Sequence, residues 1–116
     1  MKTDSITMTL LCDYYGELLT EKQKTCFDLY YNQDFSLAEI AENEGISRQG
    51  VHESITRAEA LLRSCEEKLG CVARAAQLQA SLKVIRSAAR TLAESDDTTI
   101  QSLAGEILRA ADSIKE

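Results

Sequence analysis

The side chains best suited to recognition chemistry crowd into one short stretch of the chain. Ser47, Arg48, Gln49, His52 and Thr56 offer hydroxyl, guanidinium, amide and imidazole groups, and Arg57 follows directly. At the start of an exposed helix such groups can donate to base edges, with Arg57 placed toward a phosphate backbone. The same residues also suit the solvated face of any helix. Arg48 follows Glu44 by four residues, a spacing that would pair the two and occupy the best base reader.

Catalytic and metal chemistry find no comparable grouping. His52 is the only histidine, and no nucleophile stands at a recognisable spacing from it. Glu66 and Glu67 are adjacent and so point to different faces of a helix. Neither G-x-x-x-x-G-K-[ST] nor G-x-G-x-x-G occurs. The four cysteines, Cys12, Cys26, Cys65 and Cys71, form no C-x-x-C pair. They read as reduced thiols that act as small hydrophobes. No enzyme activity, metal or cofactor is expected.

The elements that would hold the recognition residues are legible. Residues 36–55 read S-L-A-E-I-A-E-N-E-G-I-S-R-Q-G-V-H-E-S-I. A helix-turn-helix needs a small residue where its helices cross, here Ala41, and a turn-tolerant residue four positions later, here Gly45. Its core plugs are Ile40, Ile46, Val51 and Ile55, with Ser36 and Ser47 capping the two helices. Ala58 and Leu62 continue the inner face toward Leu69, and Gly70 ends it.

Upstream, Leu11, Tyr14 or Tyr15, and Leu18 predict a helix over 5–19, widened by Leu10 and Leu19. Thr20 and Gln23 form a capping-box pattern ahead of a second helix whose inner side is Cys26, Phe27, Leu29, Tyr30 and Tyr31. Beyond Gly70, Leu78, Leu82, Ile85, Ala89 and Leu92 recur at steps of four and three. A loop at 94–97 follows, then Thr98 with Gln101 as a second capping-box candidate. Ile100, Leu103, Ile107, Ala110 and Ile114 repeat the rhythm. Two such seams predict an antiparallel hairpin. The fold class is therefore all-α, with a helix-turn-helix domain over 1–70 and a C-terminal helical hairpin over 71–116 that dimerises or packs on the first part.

Proline is absent and glycine occurs five times, while 44% of residues are hydrophobic. Both fit a helical chain with a core. The N-terminal apolar stretch is too short for a secretion signal, and no apolar run could span a bilayer. A cytoplasmic location without membrane insertion is expected. Charge is uneven. Residues 1–70 carry seven bases against thirteen acids, a net of −6, whereas residues 71–116 balance at six and six. An acidic first domain opposes strong non-specific attraction to phosphate.

Two resemblances carry further expectations. Residues 36–55 resemble the promoter-reading domain of sigma factors, whose recognition helix commonly reads R-E-R-V-R-Q. This chain has R-Q-G-V-H-E, so Gly50, His52 and Glu53 depart from that pattern at reading positions. A broader resemblance rests on D-Y-Y-G-E-L-L-T-E-K-Q (13–23), L-Y-Y-N (29–32), S-L-A-E-I-A-E (36–42), G-I-S-R-Q-G-V-H-E (45–53) and E-E-K-L-G (66–70). In that order these motifs resemble the YlxM family, helix-turn-helix proteins linked to the bacterial signal recognition particle. The resemblance implies a non-catalytic accessory or regulatory protein that binds the particle's GTPase, its RNA, or both. The alternative is a DNA-binding transcriptional regulator; a weaker one is a helix-turn-helix that contacts only protein. A homodimer is expected, because the hairpin's two seams exceed what so short a chain can cover.

Overall fold

The computed structural model describes residues 4–114, which form six α-helices and no strand. The chain divides into two compact units, Met1–Val72 and Ala73–Glu116.

In the first unit, helix α1 (Ser5–Tyr15) starts at Asp4, whose carboxylate accepts from the Thr7 amide at 3.2 Å and the Thr7 hydroxyl at 2.6 Å. A 3-10 turn (Gly16–Leu18) leads to buried Leu19 and then to α2 (Glu21–Tyr31). The expected capping box is present: the Gln23 amide donates to Thr20 Oγ1, and the Thr20 amide to Gln23 Oε1. Asp34 takes a left-handed turn at φ +60°, which Asp tolerates better than most residues.

Helix α3 (Leu37–Glu44) is capped by Ser36 with Glu39 returning the bond, a second complete box. Those bonds, first the one from the Ser36 amide, hold the Glu39 carboxyl below its ordinary range. Gly45 ends α3 at φ +68°, so the Ile46 amide can reach the Ala41 carbonyl at 3.1 Å. Any residue with a Cβ would be strained there. Helix α4 (Arg48–Leu69) follows, capped by Ser47 and closed by Gly70 at φ +62°.

Helix α4 is the hub, packing against α1, α2 and α3. Its inner face is Val51, Ser54, Ile55, Ala58 and Leu62, and the core adds Met8, Leu11, Tyr15, Leu19, Cys26, Phe27, Tyr31 and Ile40. Each large apolar side chain buried here contributes roughly 1.5–3 kcal/mol. The inward edge of α1 is Met8, Leu11 and Tyr15; Leu10, Tyr14 and Leu18 are exposed, as is Leu69 at the end of α4. An apolar residue on nearly every turn left the α1 stripe ambiguous, and the fit to α4 decides it.

Helices α5 (Cys71–Ala93) and α6 (Thr98–Asp112) are joined by residues 94–97. Their buried residues are Leu82 and Ala89 on α5 and Ala104 and Ala111 on α6. Ala89 and Ala104 are the buried residues nearer the loop, and Leu82 and Ala111 those farther from it. The Arg86 guanidinium bridges the pair, donating to Asp112 Oδ1 at 3.0 Å and to the Ala111 carbonyl at 3.3 Å. Two expectations are corrected here. The edge of α6 that is buried is its alanine edge, and Ile100, Leu103, Ile107 and Ile114 remain 36–54% exposed. Alanine leaves room for close helix approach where isoleucine would hold the helices apart. The cap of α6 is Asp97, not Thr98: Asp97 Oδ1 accepts from the Thr99 and Ile100 amides, and Gln101 Nε2 donates to the Ser95 carbonyl. A carboxylate one residue earlier meets the positive helix end better than a threonine hydroxyl already in helical conformation.

Candidate nucleic-acid interface

The turn between α3 and α4 places all six sequence-predicted residues, Ser47, Arg48, Gln49, His52, Thr56 and Arg57, at the surface. Four-residue spacing sorts the helical ones into two columns. Arg48, His52 and Thr56 stack along one, and Gln49, Glu53 and Arg57 along the other. Ser47 has a prior duty, because its Oγ accepts from the Gly50 amide at 2.9 Å to cap α4. A Cβ at Gly50 would sit 3.2 Å from that oxygen, so a side chain there would crowd the cap.

The expected Arg48–Glu44 pair does not form among the described residues. Gly45 breaks the helix between them, so their spacing is not that of helical neighbours, and Glu44 instead accepts from Asn43 Nδ2 at 2.7 Å. Arg48 is exposed. Glu53 stands between Gln49 and Arg57, and Glu39, Glu42 and Glu44 are exposed on neighbouring α3. The face therefore mixes base-reading donors with carboxylates that repel phosphate.

Beside the second column, a groove of about 250 Å³ is lined by Thr20, Lys22, Gln23, Gly50, Glu53, Ser54 and Arg57. The Ser54 hydroxyl, on a residue 6% exposed, has no hydrogen-bond partner among the described residues. Sequence reading did not single out Lys22 or Ser54; the capping box at Thr20, which brings the start of α2 to this edge of α4, was the available signal. Of the four cysteines, Cys26 is buried and the others are half-buried. Burial, with Asp13 and Asp28 nearby, raises the Cys12 thiol above its ordinary range.

Residues 2–104 match the sequence profile of the UPF0122 family, described as "Putative helix-turn-helix protein, YlxM / p13 like". The chain belongs to this family. A UPF0122 protein of Thermoanaerobacter sp. (strain X514) is 44% identical over 110 residues, 94% of each chain. One from Caldanaerobacter subterraneus is 46% identical over 86 residues, 74% of each. A third, from Acetivibrio thermocellus, is 57% identical over 63 residues, 54% of each. The YlxM resemblance read from the separated motifs is thereby established, and the all-α fold agrees with a helix-turn-helix family. Among the described residues no helix is long and apolar enough to cross a membrane.

Proposed function

We propose that this YlxM-family chain is a non-catalytic cytoplasmic accessory factor of the signal recognition particle pathway, binding the particle's GTPase, its RNA, or both. The observation that carries the reading is the composition of the α4 face. Glu53 sits between the reading residue Gln49 and the phosphate-directed Arg57, and the acids of α3 lie alongside. A dedicated duplex reader concentrates cations there. The family likeness supplies the pathway, and the charge argues for contacts other than promoter DNA.

The protein acts as a homodimer in this reading. Ile85, Leu92, Ile100, Leu103, Ile107 and Ile114 are 36–54% exposed on the two hairpin helices. A second hairpin laid against them would complete a four-helix arrangement with two-fold symmetry. Sedimentation of a strict monomer at tens of micromolar would remove this part.

One observation favours the second reading, a DNA-binding regulator: Arg48 is exposed and has no carboxylate partner among the described residues. The deciding experiment is retention of cytosolic components on the immobilised full chain, with bound protein and RNA identified. Recovery of the particle's GTPase or RNA supports the accessory role. Recovery of neither, together with tight sequence-selective duplex binding, replaces it with the regulator.

A further inference from the structure

Helix α5 differs electrostatically from the rest of the chain. From Cys71 to Ala93 it holds Arg74, Lys83, Arg86 and Arg90 and not one Asp or Glu, within a protein of net charge −6. Three of these cations share a face. Gln79, Lys83, Arg86 and Arg90 recur at steps of four, three and four, each one residue after a position of the seam Leu78, Leu82, Ile85 and Ala89. One residue is a rotation of about 100° on a helix, so the row borders the seam without entering it.

The row is built as a surface. With Ala80, its four residues line a groove of about 400 Å³. Lys83 and Arg90 are exposed and have no ion-pair partner among the described residues. Arg86 is half-buried and fixed by Asp112 and the Ala111 carbonyl, which sets its guanidinium beside the groove. Among the described residues Asp112 is the one carboxylate paired with the row; Glu94, Asp96 and Asp97 follow beyond the helix end. Lys83 to Arg90 spans ~10 Å of helix axis.

We propose that this face of α5 is a docking surface for the phosphate backbone of a nucleic acid. The occupant follows from charge. A polyanion with regularly spaced charges gains most from a row of cations free of interleaved carboxylates. The recognition helix places Glu53 in its column instead. Gln79 adds a neutral donor and acceptor at one end. The surface reads no sequence, because exposed lysine and arginine aimed at phosphates position a nucleic acid without specifying it. The inference stands apart from the accessory-factor reading. Retention of the GTPase without nucleic acid would sink the inference alone, and duplex binding through α5 without retention of the particle would sink the reading alone.

The test is fluorescence anisotropy of the full chain with labelled RNA and DNA duplexes of ~20 base pairs, titrated between about 50 and 200 mM salt. K83A/R90A should bind about tenfold more weakly at the low salt, with the slope of log affinity against log salt reduced by about 1.8, or about 0.9 per lost phosphate contact. K83R/R90K should bind as the parent does, and circular dichroism should show all variants equally helical. Preference between the duplexes identifies the source of the phosphates. Parental binding by K83A/R90A would overturn the proposal, as would no binding by the parent at low salt. Competition by polyglutamate as effective as by RNA would overturn it too, since the surface would then fit an acidic protein.

Discussion

The Tyr15 hydroxyl donates to Glu66 Oε1 at 2.6 Å, joining α1 to α4 across 51 residues of sequence. The same phenol oxygen accepts from the Cys71 amide at 3.1 Å, and Glu66 Oε1 also accepts from the Val72 amide at 3.0 Å. A phenol and a carboxylate thus accept from the first amides of α5, groups for which a helix start supplies no acceptor of its own. Burial, then the bond to Glu66, raises the Tyr15 phenol well above its ordinary 10.0. A raised acid is neutral in the fold, so its contribution is full below pH 10 and is lost as pH rises beyond it. Denaturation titrations from neutral to strongly alkaline pH should show a stability loss that Tyr15→Phe lacks. Tyr15→Phe should also melt earlier at neutral pH, since it removes both the bond to Glu66 and the bond from the Cys71 amide.

Ser54→Ala should stabilise the protein. The hydroxyl is buried on α4 without a partner, and an unsatisfied buried group costs on the order of 1 kcal/mol. Alanine is also the better helix former. Urea denaturation should give a gain of about 1 kcal/mol; a loss would mean that the hydroxyl has a partner in solution.

The α3 cap predicts an acid response. Glu39 is held below its ordinary pKa by the Ser36 bonds, so its contribution is present at neutral pH and fades as pH falls through the depressed value. Glu39→Gln should flatten that part of the stability profile below about pH 4.5. Ser36→Ala should cost about 0.5–2 kcal/mol at neutral pH, read by thermal melting.

Ile40→Ala tests the helix-turn-helix core. Ile40 is fully buried where α3 meets α4. Truncation should cost about 2–5 kcal/mol by chemical denaturation, a large part of a small domain's stability. Ala41→Asp, which places a charge at the same crossing, should abolish cooperative melting.

Duplex titrations separate the two functional readings. In a DNA reader, Arg48→Ala removes a base contact worth about 1–3 kcal/mol and relaxes specificity at one position. Arg57→Ala weakens all sequences alike and flattens the salt response. In an accessory factor neither substitution changes duplex affinity measurably.

The first unit was largely readable from sequence because its signals are local and discrete. Gly45 and Gly70 end helices in a conformation that other residues resist, and the Thr20 and Ser47 caps precede clear apolar rhythms. Ile40, Val51, Ile55, Ala58 and Leu62 leave one possible inner face for their helices. Where apolar residues encircle a helix, rhythm does not choose, so Met8 was overlooked and α6 turned its alanines inward. The exposed donors of α4 were legible as a group. The Tyr15–Glu66 tie was not, because no spacing rule links residues so far apart, and the broken helix at Gly45 undid the pairing inferred for Arg48.

Helix α4 is contacted by three helices that all precede it in the chain, and this orders events during synthesis. As the polypeptide emerges N-terminus first, α1, α2 and α3 have no floor to close upon until Leu62 is free of the ribosome. Until then Met8, Phe27 and Ile40 face water together, a nascent segment suited to chaperone capture. Once Leu62 is out, α1, α2 and α3 can close on α4, the Tyr15 ties to Glu66 and Cys71 lock that closure, and the hairpin that follows pairs near neighbours in sequence. Slowing translation once Leu62 has cleared the ribosome should therefore aid folding more than slowing it anywhere earlier.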